Sequence, residues 1–407
     1  MKRSVVVRKK RPPFRVQVIM GGDLEYFRNT LLGARHYGFD SGRLVFADRW
    51  LAHELAGDLR VLVRRDGIDG IVAAVNSAAD EARFAGVGVP VVNVSNSRGE
   101  VRVPLVTQDD EAVGRLAAEH LRACGCRAFG FWGQPGASYS EERLAGFRAG
   151  LAGAGVEVGR CLSVGGGLGG GGRQDATRLF ARMKRWLAGQ ERPLGVFGVL
   201  DTCALQLLRA ARDLGWRIPE DVAVLGAGDD DFWVDFESVP LSSVRLPSRE
   251  IGYEAARLLD GLMSGGDGRV ARGGRVVRLP VSEVVARRST DVLFVEDEAV
   301  AKAVRLIRAG DGRQSVEELV RAAGVSRSGL QARFKRVLGR SMLAEIHRVK
   351  LARAQVLLAT TDMKLAAVAE LSGMGSAHRL SVLFRAKLGR TPSEFRGERR
   401  GGGESFI

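Results

Sequence analysis

Cysteine is scarce in this chain: Cys124, Cys126, Cys161 and Cys203 are the only four among 407 residues. So few thiols cannot staple a chain of this size, and the basic opening stretch MKRSVVVRKKRPPFR contains no apolar segment of export length. The expected compartment is a reducing cytoplasm. Cys124-Gly-Cys126 lacks a second cysteine pair, so no zinc site is expected there. No apolar run reaches the roughly 18 residues needed to cross a bilayer, so no membrane partner is expected. Histidine occurs five times and offers no convergent metal or acid–base set, and no phosphate-binding G-x-x-x-x-G-K-[ST] motif is present. No cofactor and no catalytic residues are expected.

What the chain has in excess is positive charge, +15 at pH 7, and its distribution carries information. Residues 1–15 hold seven basic side chains and no acids, residues 16–290 hold 34 of each sign, and residues 291–407 hold 21 basic against 13 acidic. The excess lies at the two ends. That is the pattern expected when the ends meet a polyanion and the neutral middle meets something else.

From Phe14 onward, short apolar runs alternate with amphipathic helical stretches. FRVQVIM (14–20), RLVFAD (43–48), GIVAAV (70–75), VPVVNVS (89–95), AFGFWG (128–133), LGVFGVL (194–200) and VAVLGAG (222–228) read as strands. DEAVGRLAAEHLRACG (110–125) and TCALQLLRAARDLG (202–215) read as two of the crossover helices. Near-continuous apolar strands with helical crossovers predict parallel sheets covered on both faces, and the length suits two α/β lobes with a cleft between them. GGGLGGGG (165–172) satisfies G-x-G-x-x-G, but no acid ends the next strand at the required distance of about 20 residues, so a surface loop is expected rather than a dinucleotide site.

Near residue 290 the strands stop. FKRVLGRS (334–341) recurs as FRAKLGRT (384–391), and each copy follows a helix, a glycine turn and a second helix. Ser315-x-x-Glu318 is a capping-box pattern, Gly324 marks the first turn and Gly373 the second, and Ser326 and Ser376 stand where caps are needed. In the first unit the 3.6-residue period turns Leu330, Phe334, Val337 and Leu338 inward. It leaves Arg327, Ser328, Gln331, Ala332 and Lys335 outward. In the second, Leu380, Phe384 and Leu388 turn inward, while Ser376, His378, Arg379, Ser381, Val382 and Arg385 form the outward set. Small polar side chains flanked by cations are what a helix needs to read base edges and phosphates in the major groove of double-stranded DNA. Between the units, SMLAEIHRVKLARAQVLLAT (341–360) predicts one amphipathic spacer helix with Leu343, Ile346, Lys350, Leu351, Ala354, Leu357 and Leu358 inward.

The segment from about 300 to 396, with LARAQVLL, AAVAELSGM and LGRTPSEFR, resembles the AraC/XylS-type double helix-turn-helix domain. It departs from that family at Met374 and at Arg379-Leu380, where aromatics are usual. The α/β region resembles the periplasmic-binding-protein-like sensor of LacI/GalR regulators through VTQDDEAVGRLAAEHLRACG (106–125), SEERLAGFRAGL (140–151), GWRIPEDVAVLGAGDDD (215–231) and LSSVRLPSREIGYEAARLL (241–259). A sensor of this type followed by an AraC-type reader is the arrangement of xylose-operon activators.

The resemblance implies five parts: a basic arm (1–13), a two-lobed sensor (14–288), a linker (289–299), a DNA-binding domain (300–396) and a tail (397–407). It implies a homodimer, a sugar-like small-molecule effector and, for an activator, RNA polymerase as partner. The candidate ligand residues are Arg143, Asp201, Trp132, Asp229, and Asp23 and Arg28 in the loop after the first strand. Where the family usually places a carboxylate in its last cleft strand, this chain has Gly228 followed by Asp229. Asp109 is expected to fix the crossover locally. A sugar-binding enzyme with an attached helical domain, or a chromosome-organising protein, are the alternatives; adjacent Glu141 and Glu142 cannot face one substrate together as a glycosidase pair.

Overall fold

The computed structural model describes residues 12–20, 25–47, 58–99, 102–152, 162–163, 173–230, 239–265, 275–281, 283–291, 297–338 and 340–400. The chain divides into two compact units, Met1–Val292 and Leu293–Ile407. The glycine run 165–172 and Cys161 lie outside the described residues, as do residues 1–11 of the basic arm.

The first unit contains twelve strands among the described residues: β1 (Phe14–Ile19), β2 (Leu44–Phe46), β3 (Gly70–Ala73), β4 (Val91–Asn93), β5 (Leu105–Gln108), β6 (Ala128–Gly133), β7 (Leu162–Ser163), β8 (Leu194–Gly198), β9 (Val222–Gly228), β10 (Ser242–Arg245), β11 (Val276–Leu279) and β12 (Val284–Val285). They form two six-stranded sheets in the orders β11-β5-β4-β3-β1-β2 and β12-β10-β9-β8-β6-β7. All described pairings are parallel except that of β12 with β10. β3 and β8 are buried along their whole length because helices cover both faces. The chain passes between the lobes three times, after β5, after β10 and after β11. The two-lobed parallel architecture is therefore the one the sequence pattern predicts. The pattern missed β5, β7, β10 and β11, whose short runs carry serine, glutamine or arginine, and β12, which is only two valines long.

One device recurs in both lobes. Helix Glu25–Ser41 crosses helix Ser248–Met263 so closely that a Cβ on Gly33 would lie 1.8 Å from the Arg249 carbonyl oxygen, and one on Gly252 would lie 1.8 Å from that of Thr30. Helix Asp110–Ala123 crosses helix Ser138–Ala152 in the same way, with Gly114 against the Arg143 carbonyl and Gly146 against that of Glu111. Backbone meets backbone at each crossing, where only glycine fits. The second crossing also fixes the height of Arg143 relative to Asp110.

Among the described residues of the second unit every regular element is a helix: Glu298–Ala309, Val316–Ala323, Arg327–Leu338, Met342–Thr360, Leu365–Leu371, Ala377–Leu388 and Pro392–Arg400. Ser315 and Glu318 form the reciprocal capping box, Gly324 closes the helix with a φ of 69°, and Ser376 accepts a hydrogen bond from the backbone N–H of Arg379. Two separate apolar cores result. Val300, Ile307, Leu319, Leu330 and Phe334 join the first half of helix Met342–Thr360 through Met342, Ile346 and Val349. Val368, Met374, Leu380, Phe384 and Phe395 join its second half through Leu351, Ala354, Leu357 and Leu358. The spacer is one unbroken helix.

Three expectations need correction. Leu343 is 54% exposed and Val337 37% exposed, because each sits at a helix end beyond the edge of its core. Ser289 and Thr290, expected in the linker, are buried in a 3-10 turn, Arg288–Thr290, against the second lobe. Helix Glu298–Ala309 takes in the last two residues assigned to that linker, and the last helix runs to Arg400, so residues 397–400 are not tail.

Glu345 holds the first core together electrostatically. Its fully buried carboxylate accepts hydrogen bonds from Arg340 Nε at 2.7 Å and Arg348 Nη2 at 2.8 Å, and Arg308 Nη2 lies 3.5 Å away. Burial alone would raise the carboxyl pKa, but bonding to Arg348 and the fields of Arg348, Arg340 and Arg308 win and bring it down to about 2. This stabilisation is complete above the ordinary glutamate value and is lost as pH falls through about 2. Glu345→Gln is expected to cost about 2–4 kcal/mol at neutral pH, less than a wholly buried pair because the arginines keep some water. It should also flatten the acid limb of denaturant unfolding followed by circular dichroism.

Candidate sensor cleft and DNA-reading helices

The candidate sensor site lies at the first passage between the lobes. Asp109 caps helix Asp110–Ala123 by accepting from the N–H of Ala112, as expected for a residue fixing the crossover. Asp110, the first helical residue, is fully buried at the positive end of the helix. Its Oδ1 accepts from Arg143 Nε at 2.8 Å and Gln108 Nε2 at 2.7 Å, and its Oδ2 accepts from Asn96 Nδ2 at 2.9 Å. Asn96 and Gln108 belong to the first lobe and Arg143 to the second.

Arg143, only 2% exposed, also donates from Nη1 to the Val199 carbonyl at 2.6 Å, and its guanidinium lies over the Tyr139 ring, 5.2 Å from the centroid. Its Nη2 is outside both bonds. Tyr26 enters from the first lobe, donating its hydroxyl to the Val94 carbonyl; burial, with Asp110 nearby, raises its phenol pKa. The Oε1 of Gln108 is buried without a hydrogen-bond partner among the described residues. Inter-lobe contacts continue at Ser138 N–H to Ser97 O, Tyr139 N–H to Asn96 O, Arg278 to Glu142, and Glu25 N–H to Asp230 Oδ2.

Asp201 opens helix Asp201–Asp213 just beyond β8. Burial pushes its carboxyl up to about 6, although the Ser243 hydroxyl and the Asp230 backbone N–H donate to it at 2.6 and 3.0 Å. A Cβ at Gly228, whose φ is 141°, would lie 2.8 Å from Asp201 Oδ2. The family's usual side chain at this point has no room beside Asp201. Asp229 does not take its place facing the cleft: its Oδ1 accepts from Arg287 Nη2 at 2.6 Å and its Oδ2 from Arg245 Nε at 2.8 Å.

Two other candidates lie differently from expectation. Trp132 is 2% exposed and packs on Trp186 in the apolar layer of the second lobe, with centroids 5.6 Å apart, because its position on β6 faces helix Arg173–Ala188 rather than the strand's end. Arg28 is exposed and lies on helix Glu25–Ser41, not in a loop. Asp23 lies outside the described residues. Sequence reasoning missed Asn96, Gln108, Asp110, Tyr139 and Tyr26; the run Gln108-Asp109-Asp110 at a strand end was the available signal.

In the second unit, Arg327, Ser328, Gln331, Ala332 and Lys335 are all exposed on helix Arg327–Leu338. Arg327 meets Glu317 at 3.1 Å, an ion pair open to water on both sides. On helix Ala377–Leu388, Ser376, His378, Arg379, Val382 and Arg385 are exposed, and Val382 is 56% exposed. Ser381 is half-buried, its hydroxyl donating to the Ala377 carbonyl at 2.9 Å. Ser381 apart, both outward sets therefore face solvent on helices backed by Leu330 and Phe334 or by Leu380 and Phe384.

The family model for a helix-turn-helix domain matches residues 319–398. That for a periplasmic binding protein-like domain matches 118–290, and that for periplasmic binding proteins and the sugar binding domain of the LacI family matches 25–162. The xylose operon regulatory protein of Escherichia coli is 29% identical over 345 residues, covering 81% of this chain and 83% of the relative. That of Haemophilus influenzae is 28% identical over 340 residues, with 81% and 85% covered. The solved structure of the xylose-binding transcription activator xylR superposes with a TM-score of 0.64 at 28% identity, covering 94% of this chain and 98% of that one. This chain joins a periplasmic-binding-protein-like sensor to an AraC-type helix-turn-helix domain. It is a ligand-sensing, DNA-binding transcription regulator. Among the described residues of the regulator, no helix is long and apolar enough to cross a membrane.

Two measurements test the site. The folded regulator keeps the Asp201 proton up to about 6, whereas the unfolded carboxyl releases it near 3.8. This contribution to stability is full below the lower value and is lost as pH rises through the upper one. Asp201→Asn should remove that slope from urea unfolding curves, and 13C NMR should place the midpoint near 6. On DNA, Gln331→Ala is expected to lose roughly 1–3 kcal/mol at one base position. Lys335→Ala should weaken binding to every duplex and reduce the salt slope by about one. Equal losses on all sequences for both variants would argue against base reading by Gln331.

Proposed function

We propose that this regulator activates carbohydrate-utilisation genes in response to xylose or a related sugar held between the sensor lobes, working as a homodimer that engages RNA polymerase from its DNA site. The observation that carries the reading is the pairing of two matched, solvent-facing helices on one continuous spacer with a sensor cleft whose buried polar groups come from both lobes. Arg143 offers a planar cation suited to neighbouring hydroxyls, Gln108 Oε1 offers a buried acceptor to a hydroxyl donor, and Tyr139 and Tyr26 supply flat apolar surface. The names of the relatives in Escherichia coli and Haemophilus influenzae support the sugar, and that of the solved activator supports the direction of regulation. Its protein relatives being transcription regulators, the cleft works by binding rather than turnover.

A second reading of the effector has its own support. With Gly228 in place of an acid and Asp229 tied to two arginines, the cleft presents one carboxylate fewer to hydroxyls than the family pattern. A sugar of different shape or oxidation state fits this arrangement as well as xylose does.

A thermal-shift screen against pentoses, hexoses and their acids decides between them; a sugar at 100 times its Kd should contribute about 2.7 kcal/mol of stability. No shift with any of them, or chemical conversion of the sugar that binds, would end the proposal. Arg143→Ala is expected to abolish the sugar's effect on DNA binding while DNA binding itself persists. It should also lower the sensor's stability by about 3–5 kcal/mol, since Asp110 would remain buried without its cation.

A further inference from the structure

Helix Met342–Thr360 carries its counter-charge on one face only. There Glu345 gathers Arg308, Arg340 and Arg348 around a buried carboxylate. His347 and Lys350 lie one turn apart on the opposite face, both half-buried, and among the described residues no carboxylate pairs with either.

Lys350 is threaded between two turns. Gly312, in the turn that leads into the first helix-turn-helix motif, and Gly373, in the turn of the second, have φ of 73° and 72°. A Cβ on Gly312 would lie 3.1 Å from Lys350 Cγ, and one on Gly373 would lie 3.3 Å from Lys350 Cε and from Arg313 Cγ. The apolar stem of Lys350 thus fills the seam where the two motifs meet, while its charged end keeps contact with water. Arg313 crosses the same seam, donating Nη2 to the Leu371 carbonyl at 2.9 Å.

The other neighbours are cationic too. Arg379 and Lys387, both exposed, stand two turns apart on one flank of the second reading helix, Ala377–Leu388. Burial first, then the fields of Arg313 and Arg379, hold the Lys350 ammonium below the usual lysine pKa. Burial, then Lys350 and Lys387, hold the His347 imidazole below the usual histidine value, so it is neutral at neutral pH. Among the described residues none of Arg313, His347, Lys350, Arg379 and Lys387 forms an ion pair. Like charges gathered without a counter-ion disfavour the free protein, and an anion entering the seam reverses that.

We propose that Lys350 and Arg313 hold one backbone phosphodiester of the DNA duplex at the seam between the two helix-turn-helix motifs, with Arg379 and Lys387 supplying the surrounding field and His347 an N–H donor. The contact is charge-assisted and blind to base sequence. Lys350 and Arg313 belong to the spacer and to a turn, off both outward faces, so the seam sets the position of the duplex while the reading helices discriminate its bases. The inference rests on DNA binding by the helical unit and is independent of the effector's identity.

The test uses the full-length regulator and a duplex that it selects from a random pool. Lys350→Met keeps the stem between the glycine turns and removes the charge. Its salt slope should be lower by about 0.9, so that from about 50 to 200 mM salt it loses roughly 3–4-fold less affinity than wild type, on selected and random duplexes alike. Without DNA its Tm should equal or exceed that of wild type. A methylphosphonate scan makes one phosphate neutral at a time; it should cost wild type about 3-fold or more at one position to which Lys350→Met is indifferent. Lys335→Ala, on the first reading helix, should become indifferent at a different position. If Lys350→Met keeps the wild-type slope and profile, the seam contact is refuted, and a position lost by Lys335→Ala then shows that the reading helices still meet the backbone. If inorganic phosphate at matched ionic strength raises the Tm of wild type but not of Lys350→Met, and their methylphosphonate profiles coincide, the seam is a free-anion site and the duplex assignment falls. Should Lys350→Met melt non-cooperatively, Arg313→Gln repeats the scan from an exposed residue, and the same outcomes decide.

Discussion

A carboxylate sealed from water must be neutralised where it stands, and Asp110 does this with groups from both lobes. Arg143 supplies the charge, Gln108 and Asn96 supply neutral donors, and the helix that Asp110 opens adds its own positive end. Separating the lobes would remove Asn96 from Oδ2, whereas Arg143 travels with Asp110 because Gly114 and Gly146 lock their helices backbone to backbone. The charge balance thus belongs to the second lobe alone, and the first lobe contributes only neutral bonds. Closure and opening can therefore exchange those bonds for water or for ligand hydroxyls without exposing an uncompensated ion.

The architecture was readable from sequence because it rests on periodicity. Continuous apolar strands marked the two parallel sheets, and a repeated spelling marked the two helix-turn-helix units with their caps at Ser315, Ser326 and Ser376. The strands that escaped, such as β5 and β10, are those where the lobes connect. There Gln108 and Ser243 stand in place of apolar residues and donate to the buried carboxylates of Asp110 and Asp201. Exposed helix faces were equally legible, since Leu330, Phe334, Leu380 and Phe384 leave the outward set no choice.

The cleft itself was not legible to the same degree, since its members come from segments far apart in sequence and their roles depend on partners. Trp132 looked available at a strand end, yet Trp186 covers it. Asp229 looked like a replacement acid, yet two arginines occupy it. Asp110, beside the more obvious capping residue Asp109, carries the buried charge. A single sequence names the side chains able to bind but not which of them the fold has already engaged.

In the DNA-binding unit, helix Met342–Thr360 contributes Met342 and Ile346 to one core and Leu357 and Leu358 to the other, with no break between. Each residue of such a rod advances the second reader by about 1.5 Å and swings it by about 100°. Insertion or deletion of even one residue would thus change azimuth and advance together, an error no local adjustment can undo while both ends remain packed. Under the proposed reading, the length of this one rod sets the separation of the two half-elements that the regulator can engage on a duplex.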